Sequence, residues 1–237
     1  MTDPQVRRLT LLAALAVALL AGAAGLIFLY APQDDLQGPV QRIFYVHVSS
    51  AIAGFACFGL VLGGSVASLW RGSLGGDRLA RASALVGLAL ITTTIGMGIV
   101  WAKPIWNWDP SQTWDARFTA TVVLWLIYSG YLLVRKFATS PRQAMRLAAV
   151  VGIFGFIDVP IVYESVNWWR TLHPGPVLAQ AGGPALPPAM LLTFVLTLLC
   201  MLFFSGVLVA IRYRIEVERD LEEEVPAGRS ATLEPAR

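Results

Sequence analysis

The run L-T-L-L-A-A-L-A-V-A-L-L-A-G-A-A-G-L-I-F-L-Y, Leu9 to Tyr30, contains no charged residue. As a helix rising 1.5 Å per residue it is about 33 Å long, enough to cross a hydrocarbon core of about 30 Å. Arg7 and Arg8 in front of it imitate a secretion signal, but the apolar stretch exceeds the usual h-region and further runs follow, so a retained first helix is expected. Five more runs have the length and composition of spans: Ile43 to Trp70, Ser83 to Trp101, Phe118 to Val134, Leu147 to Val166 and Pro188 to Ile211. With 56% hydrophobic and 14% charged residues, the chain has too few charges to solvate a globular surface of its size. The expected fold is therefore all-α: a polytopic membrane protein with a bundle of six transmembrane helices occupying residues 1–211, followed by a polar tail, 212–237, whose last part is disordered.

Charge sets the expected orientation. Of the 18 Lys and Arg, fourteen fall before the first helix, in the second and fourth loops and in the tail. The other four are Arg42, Lys103, Arg117 and Arg170, and the positive-inside rule then puts both termini in the cytoplasm and loops one, three and five outside. The net charge of +3 is scattered near span ends instead of forming a nucleic-acid-binding stripe. Cys57 and Cys200 each sit in an apolar run, outside any C-x-x-C setting, and read as small buried hydrophobes. No nucleotide-binding glycine loop or long-period repeat is present, so the chemistry belongs to the spans and outer loops.

Those loops collect aromatic rings. Of eight tryptophans, Trp101, Trp106, Trp108, Trp114, Trp168 and Trp169 lie in or beside outer loops three (101–119) and five (167–187). An interfacial belt is the plain explanation, but a belt marks both faces, and only Trp70 marks the inner one. The only two histidines, His47 and His173, reach the same boundary. Counting about 20 core residues back from Trp70 puts the membrane edge near Ala51, which places His47 about 6 Å further out. Neutral imidazole ligates haem iron, and flat aromatic walls suit a flat macrocycle. The four basic residues of this face are candidate partners for haem propionates, although each equally suits a helix end at the interface. A zinc site of two His with Asp109 or Asp115 is the rival, and it has no use for the tryptophans.

Two acids fall inside the fifth span. Asp158 and Glu164 are about 9 Å apart along the helix, and a charge at that depth costs about 2.5–3.5 kcal/mol on insertion scales, which makes Asp158 a functional candidate beside the plainer structural reading that follows. Pro160 is expected to kink this helix, with Asp158 bonding groups freed at the kink and Glu164 near the interface.

Trp101 to Thr119, W-A-K-P-I-W-N-W-D-P-S-Q-T-W-D-A-R-F-T, resembles the tryptophan-rich WWD signature of haem-handling proteins of cytochrome c maturation. R-I-F-Y-V-H-V-S-S-A, Arg42 to Ala51, and D-V-P-I-V-Y-E-S-V-N-W-W-R-T-L-H, Asp158 to His173, are similar to the CcmC branch of that family. One departure is visible: N-W-D-P-S-Q-T stands where that branch usually carries adjacent tryptophans. The resemblance implies six helices presenting haem at the outer face of a bacterial cytoplasmic (inner) membrane. It implies axial ligation of a non-covalent b-type haem by His47 and His173, with Trp106, Trp108, Asp109, Trp114, Asp115, Arg117, Trp168 and Trp169 around it. It further implies delivery to the haem chaperone CcmE, with the transporter subunits CcmA and CcmB and the small protein CcmD as partners, and no enzymatic step.

Two other functions remain open on the sequence. An electron-transfer cytochrome b subunit buries paired histidines deep in facing helices, whereas both histidines here are near the boundary. A haem channel needs a continuous polar path, yet helices one, two, four and six have almost no charged groups in their cores.

Overall fold

The computed structural model describes residues 4–107, 115–169, 173, 175, 183 and 186–231. Six stretches among them are helical, long and apolar enough to cross a membrane, and these correspond to the six runs read from the sequence. Helix α1 (Pro4–Gly25) ends in a π-helical turn, Leu26–Tyr30. A short 3-10 turn, Pro39–Arg42, leads into α2 (Ile43–Arg71), followed by α3 (Leu74–Trp106) and α4 (Ala116–Phe137). The fifth span is two helices, α5 (Pro141–Gly155) and α6 (Asp158–Trp168), and α7 (Pro188–Ala231) completes the chain.

Local chemistry sets these boundaries. Gly72, in the left-handed region at φ 62°, ends α2, and Ser73 Oγ accepts from Gly76 N at 3.0 Å to start α3. Two-residue reversal and antiparallel packing follow, and α2 and α3 form the most extensive helix pair. Their backbones touch: a Cβ on Gly64 would stand 2.5 Å from Gly76 O, and one on Gly76 would stand 2.8 Å from Gly64 O. In a bilayer, where no hydrophobic force draws helices together, such small-residue contact is the main source of attraction. Helix α7 packs across α2 and α3, α1 packs on α7, and α4 and α5 close the other side, with Phe58 of α2 stacked on Tyr128 of α4 at 3.6 Å.

Three features differ from the expectations. Helix α3 begins at Leu74, nine residues before the expected Ser83, because Asp77, Arg78 and Arg81 find ionic partners. Asp77 pairs with Arg135 of α4 and with Arg81 (3.4 Å), while Arg78 and Arg81 hold Asp220 at 2.8 Å and Arg81 holds Glu216 at 3.1 Å. The same pairs carry α7 past Ile211, so residues of the expected polar tail continue the helix to Ala231. Residues 232–237 lie outside the described ones.

The third difference is at the kink. Pro160 has no N–H for Phe156 O, and Val159 N donates to that carbonyl at 3.1 Å instead, which separates α5 from α6. Asp158 does not bond the freed groups: no side chain caps α6, and Asp158 Oδ2 is buried without a hydrogen-bond partner among the described residues. Glu164 accepts from Asn167 Nδ2 at 2.7 Å in an exposed pair near the helix end.

Candidate functional site

A cavity of about 410 Å³ opens where α2 begins and α3 ends, and it takes its walls from α2, α3, the first turns of α4 and α6. Its volume is in the range of cofactor and ligand sites. Both histidines line it.

His47 is set by α3. Its Nδ1 lies 2.9 Å from Thr94 O, and because a carbonyl only accepts, Nδ1 carries the proton and Nε2 keeps the lone pair. Ser50 Oγ braces the same corner, donating to His47 O at 3.0 Å and lying 3.0 Å from Thr94 Oγ1. One turn along α3, Gly98 leaves room for the imidazole: a Cβ there would stand 3.0 Å from His47 Cε1.

His173 is set by α4. Asp115 Oδ1 accepts from Phe118 N at 2.8 Å and thereby starts that helix, while Oδ2 lies 2.9 Å from His173 Nδ1. The carboxylate accepts there too, so Nδ1 is the donor and, in the neutral ring, Nε2 is the nitrogen with the lone pair. Both imidazoles thus have the arrangement found in metal-ligating histidines, in which the remote ring nitrogen is held by a carbonyl or a carboxylate.

Rings run unbroken between them. His47 meets Trp101 edge to face at 5.7 Å, Trp101 lies 6.4 Å from Trp106, and Trp106 lies 5.9 Å from the His173 ring. Trp101 is itself fixed, since its Nε1 donates to Gln37 Oε1 at 2.9 Å. Gln37 belongs to a turn that Asp34 folds by accepting from the backbone N–H groups of Leu36 and Gln37 at 3.0 and 2.7 Å.

Five of the expected site residues therefore converge: His47, Trp106, Asp115, Arg117 and His173. Trp168 and Trp169 pack against each other at 5.7 Å, are 59% and 51% exposed, and do not line the cavity. Trp108, Asp109 and Trp114 lie outside the described residues, as does Arg170. Among the basic candidates, Arg117 lines the cavity, Lys103 is exposed, and Arg42 lies over the Phe28 ring at 5.7 Å. Among the described residues no three His, Cys, Asp or Glu side chains gather as a metal cluster, so the zinc alternative gains nothing.

The sequence reading missed Gln37, Thr94 and Gly98. Only Gly98 carried any local signal, as a glycine inside an apolar helical run.

The profile of the family described as "Heme exporter protein C" matches residues 3–226. The heme exporter protein C of Bradyrhizobium diazoefficiens is 34% identical over 190 residues, which cover 78% of this chain and 70% of the relative. That of Haemophilus influenzae is 30% identical over 194 residues, covering 81% and 77%. A putative cytochrome c biosynthesis ccmC-like mitochondrial protein of Marchantia polymorpha is 30% identical over 177 residues, covering 75% and 74%.

Proposed function

The chain belongs to the heme exporter protein C family, and from that premise we propose that its cavity holds a non-covalent b-type haem for handover in cytochrome c maturation. The residues suit such a ligand. Haem, when bound, would supply an iron, and His47 and His173 are the residues that would hold it, each through its Nε2. Thr94 O and Asp115 hold Nδ1 of each ring as the donor, which leaves Nε2 of each neutral imidazole for a metal. Trp101 and Trp106 furnish flat walls, the apolar α2 and α3 faces exclude water, and Arg117 brings a guanidinium for a carboxylate.

The observation that carries this reading is the matched state of the two imidazoles in one aromatic-walled cavity. A site at the end of the bundle favours release as well as capture. With the positive-inside orientation this end faces the periplasm of a bacterial cytoplasmic membrane, where the recipient is the chaperone CcmE and CcmA, CcmB and CcmD are the associated partners.

Absorption spectra of the purified protein test it. Haem addition is expected to give a bis-imidazole Soret spectrum that His47→Ala and His173→Ala each abolish, and cells carrying either variant are expected to lack all c-type cytochromes while other respiratory haem proteins persist. A spectrum unchanged by both substitutions overturns the assignment. Persistence of c-type cytochromes would instead support a cytochrome b role.

A further inference from the structure

The break in the fifth span does more than bend a helix. In the half of the bundle away from the cavity, α2, α3, α4 and α5 close a ring, each packed on the next. Helix α5 is tight against both its neighbours there: a Cβ on Gly152 would stand 2.5 Å from Ser65 Oγ of α2, and one on Gly155 would stand 2.6 Å from Ile127 Cγ2 of α4. The contact with α2 continues as far as Phe156, whose ring would lie 3.8 Å from a Cβ on Gly59. Beyond the break, α6 stays on α4 while its backbone is no longer closely packed on α2, although Val162 still joins the buried cluster around Phe58. The backbones of α2 and α6 then stand apart over the part of the span that borders the cavity.

This gap is bordered by apolar side chains that also line the cavity, Ile52 and Phe55 from α2 and Tyr163 from α6, with the buried Val162 behind them. Tyr163 lines the cavity and is nevertheless 43% exposed. Helices α1 and α7 do not cover the slot among the described residues, since α7 packs on α2 and α3, and α1 on α7. From Asp158 to Trp168 the slot is about 15 Å long, so it lies within the membrane, in the leaflet on the cavity side.

We propose that this slot is a lateral entrance through which the haem cargo passes edge-on between the bilayer and the cavity. The inference rests on the haem reading above and adds the route. A planar, mostly apolar amphiphile that partitions into lipid meets only apolar walls between α2 and α6. Its carboxylates stay at the interface, at the depth of Arg117 in the first turn of α4. The aqueous rim presents Asp34 and Asp115, of the same sign as those carboxylates. The broken span is the physical cause: had α6 continued the line of α5, it would have closed against α2.

The test uses the full chain in lipid vesicles, with Cys57→Ala and Cys200→Ser and a cysteine pair across the slot, Ala56→Cys with Val159→Cys, joined by a short bismaleimide. Protein loaded with haem first is expected to keep its Soret spectrum on cross-linking. Protein cross-linked first is expected to lose uptake of haem offered in donor vesicles, while the parent treated with the same reagent still loads. Should the pair fail to insert, Pro160→Ala, which restores the missing donor and straightens the span, is expected to slow the same uptake. Normal loading of the closed slot sinks the lateral route alone, whereas a parent that takes up no haem sinks the cargo reading together with it.

Discussion

Asp115→Asn separates the ligand-orienting role of this residue from its helix-capping role. The two carboxylate oxygens do different things: Oδ1 accepts from Phe118 N at 2.8 Å, and Oδ2 accepts from His173 Nδ1 at 2.9 Å. Asparagine has one carbonyl oxygen, so it serves one of these and presents an NH2 to the other. As asparagine caps helices as well as aspartate does, the capping bond is expected to win and the fold to persist. The NH2 then faces His173 Nδ1 and selects the tautomer with its proton on Nε2, which cannot ligate iron. Loss of such a supporting partner typically weakens metal binding by about 10–100-fold, or about 1.4–2.8 kcal/mol. Haem titration followed at the Soret band, with thermal unfolding in the same detergent, measures both sides. Affinity within about twofold of the parent would refute the claim that Asp115 sets the His173 tautomer.

Gly98→Ala pushes on His47 Cε1 while adding helix propensity worth about 1 kcal/mol, so haem affinity is expected to fall without loss of thermal stability; a fall in both would point to general misfolding instead. Trp101→Phe keeps a ring and removes the donor to Gln37, a bond worth about 1 kcal/mol; faster amide exchange in residues 34–42 is the expected readout. Asp77→Asn at the other end leaves Arg135 and Arg81 without that anion, and breaking such a buried pair costs about 3–5 kcal/mol. A lower melting temperature with an unchanged haem spectrum is expected, and a changed spectrum would show the two ends to be coupled.

The six spans were readable because the signal is local: each run is apolar over the length that a bilayer demands, whatever it packs against. Residue chemistry and resemblance also singled out His47, Trp106, Asp115, Arg117 and His173, which line one cavity. The span ends were less so. Asp77 and Arg81 look like loop residues until Arg135, Glu216 and Asp220 arrive from α4 and α7 to neutralise them.

Tertiary structure alone decided how the histidines are held. Thr94 is 47 positions from His47, Asp115 is 58 from His173, and Gln37 is 64 from Trp101. No helical period connects residues so distant, and the partners are chosen by which faces of α2, α3 and α4 pack together. The opening between α2 and α6 has the same origin. Pro160 announces a break in the sequence, but which neighbour the freed half keeps and which it leaves depends on packing that only the assembled bundle specifies.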